Sequence, residues 1–309
     1  MIRRLAALCL LGIFLLTACG AFAVSTPTVS APMSQPDGLG REAATSQPPQ
    51  RIVSLTPSTT EILFAVGAGS QLVGRDSFSD YPAQTADIPD LGGGLGGLNM
   101  ELIVAAEPDL VLASPIIPPE QLADLENVGL NVEVVQNPTS FDELFANLQS
   151  VAALTGHAAQ GEALVTALKG RVEAVAAQVS QASQKPLVYY ELDATDPSAP
   201  YTSGPGTFVD LLIGSAGGVN FGAELSGEWV QVSVEELLAR QPDVIVLGDY
   251  TYGGVTPEQV RARAGWDALT AIQRNQVFTF DDNLVSRPGP RLVDGLEAMA
   301  KLLHPDLVR

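Results

Sequence analysis

The sequence predicts an α/β fold: two Rossmann-like lobes with parallel sheets, bridged by one long α-helix, with a ligand cleft between the lobes. Three observations predict it. After residue 50 the apolar runs are short and rich in β-branched residues, and they alternate with segments of helical spacing. That is the pattern of buried parallel strands joined by helices. Residues 158–182 contain no proline and carry Leu164, Leu168, Val172, Val175 and Val179 at spacings of 4, 4, 3 and 4, one apolar stripe on a helix. Residues 99–112 recur, with a constant offset of 134, as residues 233–246.

The chain opens with Arg3 and Arg4, continues from Leu5 to Leu16 without a charge, and reaches Thr17-Ala18-Cys19-Gly20. A basic start, a short apolar run and small residues form a signal peptide over 1–18. The apolar run of 12 residues falls short of the roughly 20 that a spanning helix needs. Leu16-Thr17-Ala18-Cys19 resembles the lipobox of bacterial lipoproteins. The resemblance implies cleavage before Cys19, lipid on its sulfur and N-terminus, and export. It further implies a protein lipid-anchored to the outer face of the cell membrane, or to the periplasmic side. Cleavage leaves Cys19 as the only cysteine, so no disulfide forms within the chain. Residues 19–50 are rich in Pro, Ser, Thr and Ala without apolar periodicity. They read as a disordered tether with a span of roughly 30 Å.

An N-terminal lobe is expected over 51–157, with strands at 52–55, 110–113 and 132–135. The helix at 158–182 is long enough, at about 37 Å, to cross a domain. A C-terminal lobe follows over 183–309, with strands at 187–190, 244–247 and 277–280. The repeated segment appears once per lobe. Each copy begins with a good N-cap, Asn99 or Ser233, and stops at Pro108-Asp109 or Pro242-Asp243 before a strand. A cleft between two such lobes is a favoured small-molecule site. A single connecting helix predicts a small closure motion.

Composition removes whole classes of function. The chain has 309 residues, with 35 Asp+Glu against 16 Lys+Arg and a formal charge of −19. Nucleic-acid binding depends on cations that neutralise phosphates, and adhesion to anionic lipid does too, so neither is expected. With 2 His and 2 Cys, a Cys/His metal site has too few ligands. No metal site and no intrinsic cofactor are expected. No Walker A motif and no G-x-S-x-G elbow occurs. Gly92-x-Gly94-x-x-Gly97 lacks a clear preceding strand and has Pro89 just upstream, so it reads as a flexible loop. His157 and His304 read as surface or capping residues. With no catalytic constellation, the chain is not expected to be an enzyme, and nothing indicates more than a monomer.

The informative residues are aromatics and glutamates. Phe78, Tyr81, Trp229, Tyr250 and Tyr252 lie in expected loops, and such rings suit a large planar ligand as well as packing under loops. Trp266 reads as core. Glu101 and Glu235 hold equivalent places in the first turn of the repeated helix. Two readings stand for them: carboxylates that offset the helix dipole, or one negative knob per lobe for a partner with two positive sockets.

In combination, several stretches resemble the helical-backbone class of ABC-transporter substrate-binding proteins, which carry corrinoids, haem and ferric siderophores. They are Arg51-Ile52-Val53-Ser54-Leu55-Thr56-Pro57-Ser58-Thr59-Thr60-Glu61, Ser79-Asp80-Tyr81-Pro82, Leu98-Asn99-Met100-Glu101 and Pro108-Asp109-Leu110-Val111 in the first half, and Trp229 to Glu235, Pro242-Asp243-Val244-Ile245 and Gly265-Trp266 in the second. The resemblance covers essentially all of 51–309. It implies capture of a ligand in the cleft and delivery to an ABC permease and ATPase complex. It also implies that Glu101 and Glu235 dock on permease arginines. Ser79-Asp80-Tyr81-Pro82 and Trp229 look most like the vitamin B12-binding branch, in which those aromatics line the corrinoid site. Leu95 stands where that branch has a tryptophan, and Asn283 where it has an aspartate. The expected ligand-binding residues are Tyr81, Trp229, Leu95, Asn283, Arg75, Phe78 and Arg287. A corrinoid is the expected ligand; a ferric siderophore or haem, which need cleft arginines, are the alternatives. A surface sensor or interaction lipoprotein without a transport role is the alternative of another class.

Overall fold

The computed structural model describes residues 47–93 and 97–308. The signal peptide, Cys19, most of the tether and Leu95 lie outside the described residues.

Strands β1 (Ile52–Ser54), β2 (Leu72–Arg75), β3 (Leu110–Ala113) and β4 (Val132–Val134) form a parallel sheet in the order β2-β1-β3-β4. Ile52 lies opposite both Leu72 and Leu110, and Val111 opposite Val132. Every residue of β1, β3 and β4 is buried, because helices cover both faces of a parallel sheet. Those helices are α1 (Pro57–Ala65), α2 (Met100–Ala105), α3 (Pro119–Asn127) and α4 (Phe141–Leu154). Helices α1 and α3 each start on a proline, whose fixed φ suits the first turn and whose missing N–H costs nothing there.

Helix α5 (Ala158–Val179) is the predicted connector. Val165, Leu168 and Val175 are buried, and Leu164, Val172 and Val179 pack against the same core. A Cβ on Gly161 would sit 2.3 Å from the Ala152 Cβ, so the glycine allows α5 to lie close against α4. The core beneath α5 is continuous: Leu110 and Leu148 from the first half join Val188, Leu212 and Val246 from the second in one cluster.

The second sheet contains β5 (Leu187–Asp193), β6 (Tyr201–Ser203), β7 (Val219–Asn220), β8 (Trp229–Gln231), β9 (Val244–Leu247) and β10 (Val277–Thr279). Its order is β10-β9-β5-β6-β8, with β7 beside β5. The expectation of parallel sheets holds for β10, β9, β5 and β7, but β6 and β8 run antiparallel. β8 is the edge strand and faces solvent in part, with Trp229 and Gln231 exposed, whereas β6 lies inside the sheet and its Thr202 and Ser203 are buried. Around the sheet lie α6 (Phe208–Ser215), α7 (Val234–Arg240), α8 (Tyr250–Gly253), α9 (Pro257–Arg261), α10 (Thr270–Gln273) and α11 (Leu292–Leu303). Two placements are thereby corrected. Trp229 stands on β8 and not in a loop, and Tyr250 and Tyr252 stand on the one-turn helix α8.

The sequence repeat is also a structural repeat. Asn99 and Ser233 both cap their helices by accepting an N–H three residues on, each at 3.2 Å. Glu107 and Gln241, also 134 apart, both take left-handed backbone, with φ of 46° and 51°. The aspartate that follows each clamps the neighbouring strand. Asp109 donates its N–H to the Arg51 carbonyl and its carboxylate accepts the Arg51 N–H, both at 2.9 Å. Asp243 does the same with Leu187, at 2.8 and 2.9 Å.

Candidate functional site

The segments that follow the C-terminal ends of β1, β2 and β10 meet at a seam between the halves, the usual place for ligands in α/β folds. On the first side, β1 runs into α1 through Leu55 and Thr56. The buried hydroxyls of that turn form a chain: Thr60 Oγ1 donates to Ser54 Oγ at 2.8 Å and meets Ser79 Oγ at 2.8 Å, and Ser79 donates to Asp76. Burial raises the Asp76 carboxyl above its ordinary range, and the Ser79 hydroxyl draws it back. This network fixes the turn that carries Asp80 and Tyr81 against α1. The Tyr81–Pro82 peptide bond is cis.

The segment between β10 and α11 approaches from the second side. Arg291 grips Glu61 of α1 with two hydrogen bonds, at 2.8 and 2.6 Å. Arg287 bonds Asp80 and lies 3.6 Å from Glu61. The Arg291 guanidinium also lies 4.0 Å from the centroid of the Tyr81 ring, a cation–π contact. Burial pushes the Glu61 carboxyl up while Arg291 and Arg287 pull it down. The Arg287 hydrogen bond holds Asp80 below the usual carboxylate range. A cavity of about 350 Å³ lies beside this lock, walled by Glu61, Phe64, Tyr81, Leu164, Arg171 and Arg291. It lies at the small end of ligand cavities, so a macrocycle would have to rest largely on the open surface next to it.

Three of the expected rings are exposed, and one of them, Tyr81, walls the cavity. Phe78, Tyr81 and Trp229 are 50%, 46% and 40% exposed. Trp229 is seated by the pairing of β8 with β6, where it lies opposite Ser203, and by the Phe208 ring at 5.5 Å. Tyr250 and Tyr252 are exposed on α8, and Tyr252 donates to the Leu192 carbonyl. Trp266, by contrast, is fully buried and meets Tyr189 edge-on, as expected of a core residue.

The remaining expected residues divide. Arg75 is turned into the fold: it donates to the Thr85 and Asp76 carbonyls at 2.9 and 2.8 Å and lies 3.7 Å from Asp90. It anchors the loop behind Tyr81 rather than facing the seam. Asn283 donates to Asp281 from both its backbone and its amide, at 3.1 and 2.9 Å, at the start of the segment that bears Arg287. Leu95 lies outside the described residues. Glu101 and Glu235 stand in the first turns of α2 and α7, are exposed, and make no ion pair among the described residues. Sequence reasoning passed over Glu61 and Asp80 as site residues. The available signal was Glu61 itself, the one charge within the otherwise uncharged α1.

A second buried acid lies at the C-terminal end of β9. Asp249 is 2% exposed, and its carboxylate oxygens face no donor among the described residues. Nearby, the fully buried Glu191 is held by Arg263 at 2.5 and 2.8 Å. Burial, and then the charge of Glu191, push Asp249 up to about 7. The folded chain therefore binds a proton that the unfolded chain has released, between the ordinary aspartate range and about pH 7. Stability is expected to fall as pH rises through that window and to level off above it. Thermal melts at pH 5 and pH 8 check this. Asp249→Asn is expected to flatten the difference, and an unchanged pH slope in that variant would assign the effect elsewhere.

Among the described residues no helix is long and apolar enough to cross a membrane. The model of the family described as periplasmic binding protein matches residues 52–284. The uncharacterized ABC transporter substrate-binding lipoprotein YvrC of Bacillus subtilis is 30% identical over 281 residues, covering 89% of this chain and 86% of its own. A cobalamin-binding protein of Halobacterium salinarum is 30% identical over 286 residues, covering 89% of this chain and 75% of its own. Among solved structures, the periplasmic heme-binding protein RhuT of Roseiflexus sp. RS-1 in apo form superposes with a TM-score of 0.74 at 28% identity, over 83% of this chain and 98% of its own. Two α/β halves on one connecting helix, a seam built of side chains from both, and a family match over residues 52–284 lead to one conclusion: the chain belongs to the periplasmic binding protein family, as a solute-binding protein and not an enzyme.

Proposed function

We propose that the chain is the extracytoplasmic substrate-binding component of an ABC importer, tethered through lipid on Cys19, and that its cargo is a corrinoid. The observation that carries the ligand reading is the pairing of charges at the seam. Arg287 and Arg291 both already face carboxylates, Asp80 and Glu61, while the rings of Phe78, Tyr81 and Trp229 stay open. A weakly charged planar chelate can lie on those rings without breaking an ion pair. An anionic ferric siderophore, or the propionates of haem, would have to draw the arginines away from partly desolvated partners. The cobalamin-binding relative, alike over 89% of this chain, supports the same reading.

Delivery fits the two exposed glutamates. They repeat 134 residues apart with the same cap geometry, and Leu102 and Val104 expose apolar surface beside Glu101. A permease with two cationic sockets would meet one glutamate from each half.

The test of the ligand site is truncation of its rings. Trp229→Ala and Tyr81→Ala are each expected to weaken cobinamide binding roughly 30-fold, the scale of an aromatic anchor worth about 2 kcal/mol. Val128→Ala, exposed just after α3, is expected to leave it unchanged. Full affinity in both ring variants would remove the ligand from this surface.

A further inference from the structure

The described residues contain twelve arginines and lysines. Seven, all arginines, pair with carboxylates: 75, 171, 240, 261, 263, 287 and 291. Arg51 donates to the Ala106 and Glu107 carbonyls, and Lys169 lies over the Phe145 ring. Three cations remain: Lys185, Arg274 and Lys301. In a chain of formal charge −19, chance would scatter them among acids. Instead all three line one hollow of about 900 Å³.

The hollow lies at the end of the second sheet away from the seam. Lys185 precedes β5, Asp243 precedes β9, Arg274 precedes β10, and Lys301 is in the last turn of α11. These strands are parallel, so their N-terminal ends gather here, while at its other end β10 leads to Arg287 and Arg291 of the seam. Two carboxylates also line it. Asp243 is committed to the Leu187 N–H, and Asp306 is exposed. His304, also lining it, has Nε2 3.2 Å from the Gly217 carbonyl.

We infer that this hollow is an anion site for a phosphate group, distinct from the cargo cleft. Two ammonium groups and one guanidinium around a concave surface can hold several phosphate oxygens at once, which lone lysines on a convex face cannot do. A soluble phosphate compound and the headgroup of an anionic lipid share this chemistry.

The chain has three lysines, Lys169, Lys185 and Lys301, so acetylation kinetics read by mass spectrometry report on the hollow with an internal control. The full chain in neutral detergent is acetylated with sodium pyrophosphate, with sodium chloride at matched ionic strength, or with added phosphatidylglycerol or phosphatidylcholine. Lys185 and Lys301 are expected to react at least fivefold more slowly in pyrophosphate or in phosphatidylglycerol, with Lys169 unchanged. Protection by pyrophosphate identifies a soluble phosphate ligand. Protection by phosphatidylglycerol alone identifies a lipid headgroup. Arg274→Glu is expected to abolish the protection while leaving the melting temperature within about 2 °C, a shift below the 1 kcal/mol scale for a domain this size. Equal slowing of all three lysines, no slowing, or protection that survives Arg274→Glu would overturn the inference.

Discussion

Arg291→Ala is expected to destabilise the chain by about 3–5 kcal/mol, the cost of leaving one partner of a buried ion pair alone. Glu61 is 2% exposed and takes both of its short hydrogen bonds from Arg291. Without Arg291 its nearest cation is Arg287, at 3.6 Å and already engaged with Asp80. The loss is expected to shrink as pH falls, because burial already favours the neutral Glu61 carboxyl. Removing both charges, as in Glu61→Leu with Arg291→Met, is expected to recover most of the stability, since neither ion is then left desolvated. Urea unfolding at pH 5 and pH 8 separates these cases. A loss below about 1 kcal/mol, within the range of an exposed surface pair, would show that the two halves are not held by this lock.

Reversing both exposed glutamates, Glu101→Lys with Glu235→Lys, is expected to abolish cargo uptake by cells while changing cargo affinity less than twofold. The helices that carry them depend little on these carboxylates: each contributes about 0.3–1 kcal/mol through the helix dipole, and the caps are made by Asn99 and Ser233. Each single reversal is expected to fall between wild type and the double variant, because one socket contact remains. Labelled-corrinoid uptake and calorimetry on the purified variant provide the two readouts. Parallel loss of affinity would place the glutamates in the cargo site. Normal uptake would favour a surface lipoprotein whose partner is not a permease.

How far the sequence could be read follows from burial. Leu110–Ala113 and Val244–Leu247 were legible because a strand buried on both faces is an uninterrupted apolar run. The short strands β6 and β8 were not, since Tyr201, Thr202 and Ser203 carry no such run. The connector was legible from its stripe, and the repeat from its spacing. Tyr81 and Trp229 stood out as aromatics beside turn residues, and both are exposed. Arg75 was misplaced because a sequence shows charge but not direction: its guanidinium turns inward to two carbonyls. The Glu61–Arg291 lock joins residues 230 positions apart, and no local pattern reports such a pair.

The most direct measurement is a calorimetric titration of the full chain with cyanocobalamin, cobinamide, haem and a panel of anionic ferric siderophores. Paired arginines and open rings predict one-to-one, sub-micromolar binding of a corrinoid and much weaker binding of the anionic chelates. Tight binding of haem or a ferric siderophore, with none for either corrinoid, would contradict the account of how this cleft chooses its cargo.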